Sequence, residues 1–327
     1  MALNLRGMAA SVPPKHRGTA AFVLVMAGSL GIQASTAILS HLFVEFSPIV
    51  VAGLRMGAAA LILLVLVRPN PFAVKRSDWP QVIVYALVVS VMTLGYFQAV
   101  HYLPLGIVVT IEYLGAFGVS LLGVRRVRDG LLSLGALVGV ALIAGPTFEA
   151  GQLVGYFFAA LSALCMAGYT LLSAKMGSGS QAVSGLKGLT LSIAISALIF
   201  SPFSVPAIPQ LSGADWVRVL LGGALGVAFA YSADSLAGRL TSAAVIGVLF
   251  SLDPVNGALI GILLLGEVLP FSAYVGIVVI AISGAVLVWK TNRSAIELGT
   301  NTAMLEAIVS TKTGQIPLVE QRDFKNN

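Results

Sequence analysis

The sequence predicts an all-α integral membrane protein of ten transmembrane helices, arranged as two inverted five-helix repeats. Three observations predict it. Hydrophobic residues make up 57% of the 327 and charged residues only 10%, with a mean hydropathy of +0.96, whereas a soluble domain carries about 25% charge. Apolar runs of about 20 residues follow one another along the chain, long enough at 1.5 Å rise per residue to cross a hydrocarbon core ~30 Å thick. A stretch of the first half also recurs in the second.

The runs lie at 19–39, 47–67, 81–100, 104–124, 130–145, 152–173, 185–203, 216–236, 241–265 and 271–289. The first follows Arg6, Lys15 and Arg17. It is longer than a signal-peptide core and lacks a small-residue cleavage site, so it reads as a retained anchor. The fifth run is the shortest. Short connectors edged by Pro, Gly or Ser make neighbouring helices antiparallel. Of 19 Lys and Arg residues, 17 fall in the amino-terminal tail, the 68–79 and 125–129 loops, the middle of the chain at Lys175 and Lys187, Arg239, and the carboxyl tail. The alternate loops at 40–46, 101–103, 146–151, 204–215 and 266–270 hold none. The positive-inside rule therefore predicts a multi-pass protein of the cell membrane with both termini cytoplasmic. Trp79, Trp216 and Trp289 fall at run ends, where indoles favour the membrane interface. The 35 glycines fit close packing of helices in lipid. The tail after Trp289 is polar, and its stretch 294–310 reads as a solvated segment or a short surface helix.

The repeat aligns LPLGIVVTIEYLGAFG (103–118) with AVIGVLFSLDPVNGAL (244–259) at an offset of 141. It pairs Gly106 with Gly247, Glu112 with Asp253, and loop residue Arg126 with Glu267. Five spans per half is an odd number, so the halves enter the membrane from opposite sides, and the swap of Arg126 for Glu267 follows. Inverted repeats are characteristic of transporters, with the binding site near the midplane between the halves. The predicted units are a tail at 1–18, a first half at 19–146, a second at 152–290, and a tail at 291–327.

On YLPLGIVVTIEYLGA (102–116), RMGAAALIL (55–63) and SLDPVNGALIGILLLGEVL (251–269), the chain resembles the drug/metabolite transporter superfamily. Its halves resemble EamA-type domains, and its branch resembles the threonine/homoserine exporters, over about residues 19–290. Two positions depart from that branch: Ala116 stands where Pro is usual, removing a helix break, and Asp253 stands where Glu is usual, shortening an acid. Glu267 matches the family's glycine–glutamate turn before the last helix. The resemblance implies efflux of small neutral amino acids such as threonine and homoserine. Another small metabolite or drug carried on the same fold is the alternative.

Arg55, Glu112 and Asp253 are charged residues in the middle of apolar runs. Such residues face a bundle interior or an aqueous path, because hydrocarbon does not solvate them. Counting rises from the run ends puts all three about 12 Å below the outer face. Arg55 suits a substrate carboxylate through its bidentate fork. Glu112 and Asp253 suit a substrate ammonium, or a proton that couples transport to the proton gradient. A buried Arg55–Glu112 ion pair that only fixes one helix against another explains the same residues. Pro254, Asn256 and Gly257 predict a distorted helix beside Asp253. Gln33, Tyr96, Gln98 and Tyr113, with Asn256, are the other candidate lining residues, although interhelical hydrogen bonds account equally for such side chains. Asp234 reads as a partner of Arg239 near the inner interface.

Scattered basic residues argue against a nucleic-acid partner; the expected partners are a small amino acid, the proton and the lipid bilayer, in a monomer or homodimer. No cofactor or metal is expected: Cys165 is the single cysteine, and His16, His41 and His101 all lie outside the runs. This leaves no HExxH-type cluster and no nucleophile beside a histidine, so an intramembrane enzyme is the disfavoured reading.

Overall fold

The computed structural model describes residues 12–13, 16–122, 135, 138–139, 142, 150–177, 186–240, 249–283 and 285–286. These residues are helical apart from short connections, with no strand among them. The two tails, the linker at 178–185, the Arg126 loop, residues 241–248, Trp289 and most of the predicted fifth helix lie outside them. Six described helices are long and apolar enough to cross a membrane, and three further apolar helices are shorter. Of the ten expected, the fifth run and the start of the ninth fall largely outside the described residues.

Helix α1 (Arg17–Ser40) leads through a 3₁₀ turn to Ser47, whose extended backbone and the Pro48 that follows start α2 (Pro48–Val67). Proline suits a first helical turn because its missing N–H has no intrahelical partner there. Arg68 stops α2 with a left-handed backbone (φ 49°). Helix α3 (Trp79–Tyr102) also starts with a proline, and α4 (Leu105–Leu122) follows Pro104. After α5 (Ala150–Gly177) and α6 (Leu186–Ser204) comes α7 (Gly213–Gly223). A reciprocal capping box between Ser212 and Asp215 opens α7, and Arg218 pairs with Asp215 at 2.7 Å. A π-helical turn over Ala224–Phe229 then joins α7 to α8 (Ala230–Leu240). Helix α9 (Asp253–Leu265) ends at Gly266 (φ 65°), and α10 spans Phe271–Ser283.

Side chains sort by polarity in the sense expected of a bundle in lipid. Leu61, Phe157, Leu164 and Leu198 are all at least 65% exposed on the outside. Ser29, Gln33, Arg55 and Ser162 are buried within. The packing is reciprocal: α3 lies along α5 as α1 lies along α8, α4 touches α5 as α1 touches α9, and α2 faces α6 while α4 faces α9. Helices α4 and α9, which carry the two similar stretches, thus pack against each other. A Cβ on Gly106 would stand 2.7 Å from the Ala258 Cα, and one on Gly257 would stand 2.9 Å from Val109. Only glycine allows backbones this close. Of the fifth run, Gly135 and Gly139 face Ser283 and Ile280 of α10.

Candidate functional site

Arg55 projects from α2 into the interior and is 5% exposed. Its Nη2 donates to the Gly226 carbonyl at 3.1 Å, and its guanidinium carbon sits 5.3 Å from the centroid of the Phe97 ring. The acceptor lies in the π-helical turn, where the i→i−4 ladder is interrupted and backbone acceptors become available. A Cβ at Gly226 would stand 2.6 Å from Nη2, so glycine makes room for the guanidinium. Arg55 Nε is buried without a hydrogen-bond partner. The ion pair with Glu112 anticipated from sequence is not formed, Arg218–Asp215 being the ion pair among the described residues. A buried guanidinium with an unused donor and no ion-paired carboxylate is suited to receive an anion, because burial strengthens any charge-assisted bond it makes.

Glu112, on α4, accepts from the Ser162 hydroxyl of α5 at 2.5 Å. Asp253 accepts from the Ser29 hydroxyl of α1 at 2.6 Å, and Asn256 Nδ2 donates to Ser29 Oγ at 2.9 Å. The expected distortion beside Asp253 is present: residues 249–250 are helical, Ser251 and Leu252 form a turn, and α9 restarts at Asp253 with Pro254 in its first turn. Tyr113 is buried on α4 and hydrogen-bonds Ser251 in that turn. Tyr96 donates to Gln33 Oε1 at 2.9 Å, joining α3 to α1. Arg55 lies within electrostatic range of Glu112, Tyr96 and Tyr231, and Glu112 within range of Asp253.

Seven of the eight candidates, Arg55, Glu112, Asp253, Tyr113, Asn256, Gln33 and Tyr96, are therefore tied into the interior, six through hydrogen bonds to side chains and Arg55 through a backbone carbonyl. Gln98 is not joined to them. It is half-buried, and two residues turn a helix by about 200°, which carries it away from the Tyr96 side of α3. Sequence reasoning missed Ser29, Ser162, Phe97 and Gly226. A serine, a phenylalanine or a glycine in an apolar run carries no signal until its neighbours are known. Asp234 stands against α1 at Gly28, where a Cβ would lie 3.3 Å from its Oδ1. That is about 16 Å along α1 from Arg17; the side chain of Arg239, its expected partner, lies outside the described residues. His41 and His101 are exposed, as anticipated.

Glu267 lies outside the membrane-spanning helices. Its Oε1 and Oε2 accept from the Leu105 N–H at 2.8 and 3.0 Å, so the end of α9 caps the start of α4. Burial raises its carboxyl above the ordinary glutamate value, while the Leu105 and Gly106 amides oppose that shift.

Residues 153–289 match the model of the EamA-like transporter family. That stretch is an EamA-family domain. It contributes Ser162, Gly226, Asp253 and Asn256 to the interior, facing Gln33, Arg55, Tyr96 and Glu112 from the chain before it. Among curated proteins, the chain is 25% identical over 286 residues to the threonine/homoserine exporter RhtA of Escherichia coli (strain K12), covering 85% of this chain and 95% of that one. It is 27% identical over 254 residues to the threonine/homoserine exporter RhtA of Salmonella typhimurium (strain SL1344), covering 76% and 83%. A solved crystal structure superposes with a TM-score of 0.53 at 20% identity, over 81% of this chain and 97% of that one; at this identity the likeness concerns the fold. The EamA-family match and the apolar helices make the chain a membrane transporter.

Proposed function

We propose that the protein is a secondary active exporter of small neutral amino acids, threonine and homoserine first, driven by the proton gradient. The observation that carries this reading is Arg55. It is a buried guanidinium with an unused donor, no ion-paired carboxylate, and a backbone carbonyl and an aromatic face as its neighbours. An unpaired intramembrane arginine is costly, and a substrate carboxylate offsets that cost by taking its fork. Gln33, Tyr96, Tyr113 and Asn256 are the buried polar side chains of the neighbouring helices that support this reading. Glu112 and Asp253, each held by a single serine hydroxyl, are the proton-exchanging carboxylates.

The reading includes ten helices in two inverted halves, 19–146 and 152–290, with both tails cytoplasmic. Reciprocal packing of α1 on α8 and α3 on α5 supports the two halves, and the distribution of Lys and Arg supports the orientation. The names of the exporters to which the chain is similar support the substrate. Purified protein in vesicles loaded with radiolabelled threonine is the test: an imposed pH gradient should accelerate threonine release above that of protein-free vesicles. Equal release across a panel of neutral amino acids, with and without protein, would reject the assignment.

A further inference from the structure

The amino-acid reading leaves the substrate ammonium without a holder. Both acids in the interior are already engaged: Glu112 receives the Ser162 hydroxyl, and Asp253 receives the Ser29 hydroxyl while sitting at the start of α9. A third carboxylate keeps one oxygen unmatched. Asp234 Oδ1, on α8, is buried and has no hydrogen-bond partner. It faces α1 at Gly28, one residue from the Ser29 that serves Asp253. A buried carboxylate oxygen left unmatched is costly, so a site that keeps one is shaped for something that arrives.

Its surroundings favour an organic ammonium. Tyr231 precedes Asp234 by three residues, hence shares its side of the helix. The Tyr231 ring stacks on Tyr169 with centroids 6.3 Å apart, and Tyr169 meets Tyr85 at 5.3 Å. Aromatic faces attract a cation within about 6 Å of the ring. A metal ion is the poorer match, since no group of three His, Cys, Asp or Glu side chains gathers among the described residues. Gly28 preserves the space before Oδ1. Tyr231 also lies within electrostatic range of both Arg55, a cation suited to a carboxylate, and Asp234, an anion suited to an amine.

We propose that Asp234 holds the ammonium group of the transported substrate against the Tyr169–Tyr231 pair, with the substrate carboxylate directed toward Arg55. The proposal rests on the amino-acid export reading and assigns the two ends of the substrate within it.

Equilibrium binding to the full chain in lipid nanodiscs tests it with three probes: threonine, threoninol (no carboxylate) and 2,3-dihydroxybutyrate (no ammonium). The wild type should prefer threonine to the dihydroxy acid by about tenfold or more. Asp234→Asn should erase that preference by weakening threonine and threoninol while leaving the dihydroxy acid within about twofold. A retained preference in Asp234→Asn, or its loss in Asp253→Asn with Asp234 intact, overturns the proposal. If Asp234→Asn does not fold, Gly28→Ala serves, because its Cβ crowds Oδ1 without removing the charge; equal weakening of all three probes there also overturns the proposal. A wild type that binds neither threonine nor homoserine counts against the amino-acid reading. A panel of primary amines then decides the site: amine binding removed by Asp234→Asn sustains it, and no amine binding overturns it.

Discussion

Glu112 and Asp253 stand at matching positions of two similar sequence stretches, 103–118 and 244–259, and each is bonded by a serine from another helix. Glu112 takes Ser162 of α5, and Asp253 takes Ser29 of α1. Their backbones differ. Glu112 lies inside the uninterrupted α4, where every neighbouring N–H is used by the helix. Asp253 begins α9 after a break, with a proline behind it. The first turn of a helix presents unpaired N–H groups and the positive end of its dipole, which favour an anion. Asp253 also has Asn256 behind its serine, and the far end of α9 is tied to α4 by Glu267. The lesson is that matched acids need not share a setting: Glu112 sits inside a continuous helix and Asp253 at a helix start, although each accepts from one serine hydroxyl.

The largest expected effect is at Arg55, which serves both sides. Arg55→Lys keeps the charge and loses the fork, and should leave a folded protein that binds threonine about ten- to a hundredfold more weakly. Because Arg55 and Glu112 are not ion-paired, the Arg55→Gln/Glu112→Gln double variant should transport no better than Arg55→Gln alone. Normal transport by the double variant would restore the ion-pair explanation and rule out a direct role for both residues.

The second prediction separates the acids. In vesicles, Glu112→Gln should lose the response of efflux to an imposed pH gradient while threonine–threonine exchange continues, since glutamine keeps polarity and does not titrate. Asp253→Asn should keep part of that response if the backbone holds the aspartate charge in place. Full gradient-driven efflux in Glu112→Gln, with none in Asp253→Asn, would reverse the assignment.

Smaller effects should come from the serines. Ser162→Ala removes the one hydroxyl bonded to Glu112, whereas Ser29→Ala leaves Asp253 its helix start and leaves Asn256 free to turn toward it. Losing a hydrogen bond to a charged acceptor costs about 1.5–3 kcal/mol, so pH-dependent efflux should shift more in Ser162→Ala. Equal shifts would remove the backbone distinction.

The smallest effect concerns Glu267. Its carboxyl value is raised in the folded protein, so the folded state binds the proton more tightly than the unfolded one, and stability falls as pH rises through the raised value. Thermal unfolding of the wild type in detergent should show that decline, and Glu267→Gln should flatten it. A decline unchanged by Glu267→Gln would assign it to another group.

The helical, membrane-spanning character was legible because bilayer thickness and apolar run length act on each segment separately. Arg55, Glu112 and Asp253 were legible for the same reason: a charge within an apolar run stands out whatever it touches. Their partners were not. Ser29 and Ser162 resemble many other small polar residues in membrane helices, and the sequence left open whether Arg55 pairs with Glu112; the guanidinium turns instead to the Gly226 carbonyl in a π-helical turn that no residue type announces. Gln98 stands apart from the other candidates, since its helical face depends on how α3 is rotated in the bundle.

The sequence by itself determined that this chain is helical, multi-pass in a membrane, and carries charges inside apolar runs. Those properties follow from transfer free energies summed along the chain, which need no partner. The tertiary structure alone decided which serine meets which acid, that Arg55 keeps a donor unused, and that Asp234 faces a glycine instead of a donor. Such pairings depend on helix rotation and crossing, and these are set by packing between segments far apart in the chain.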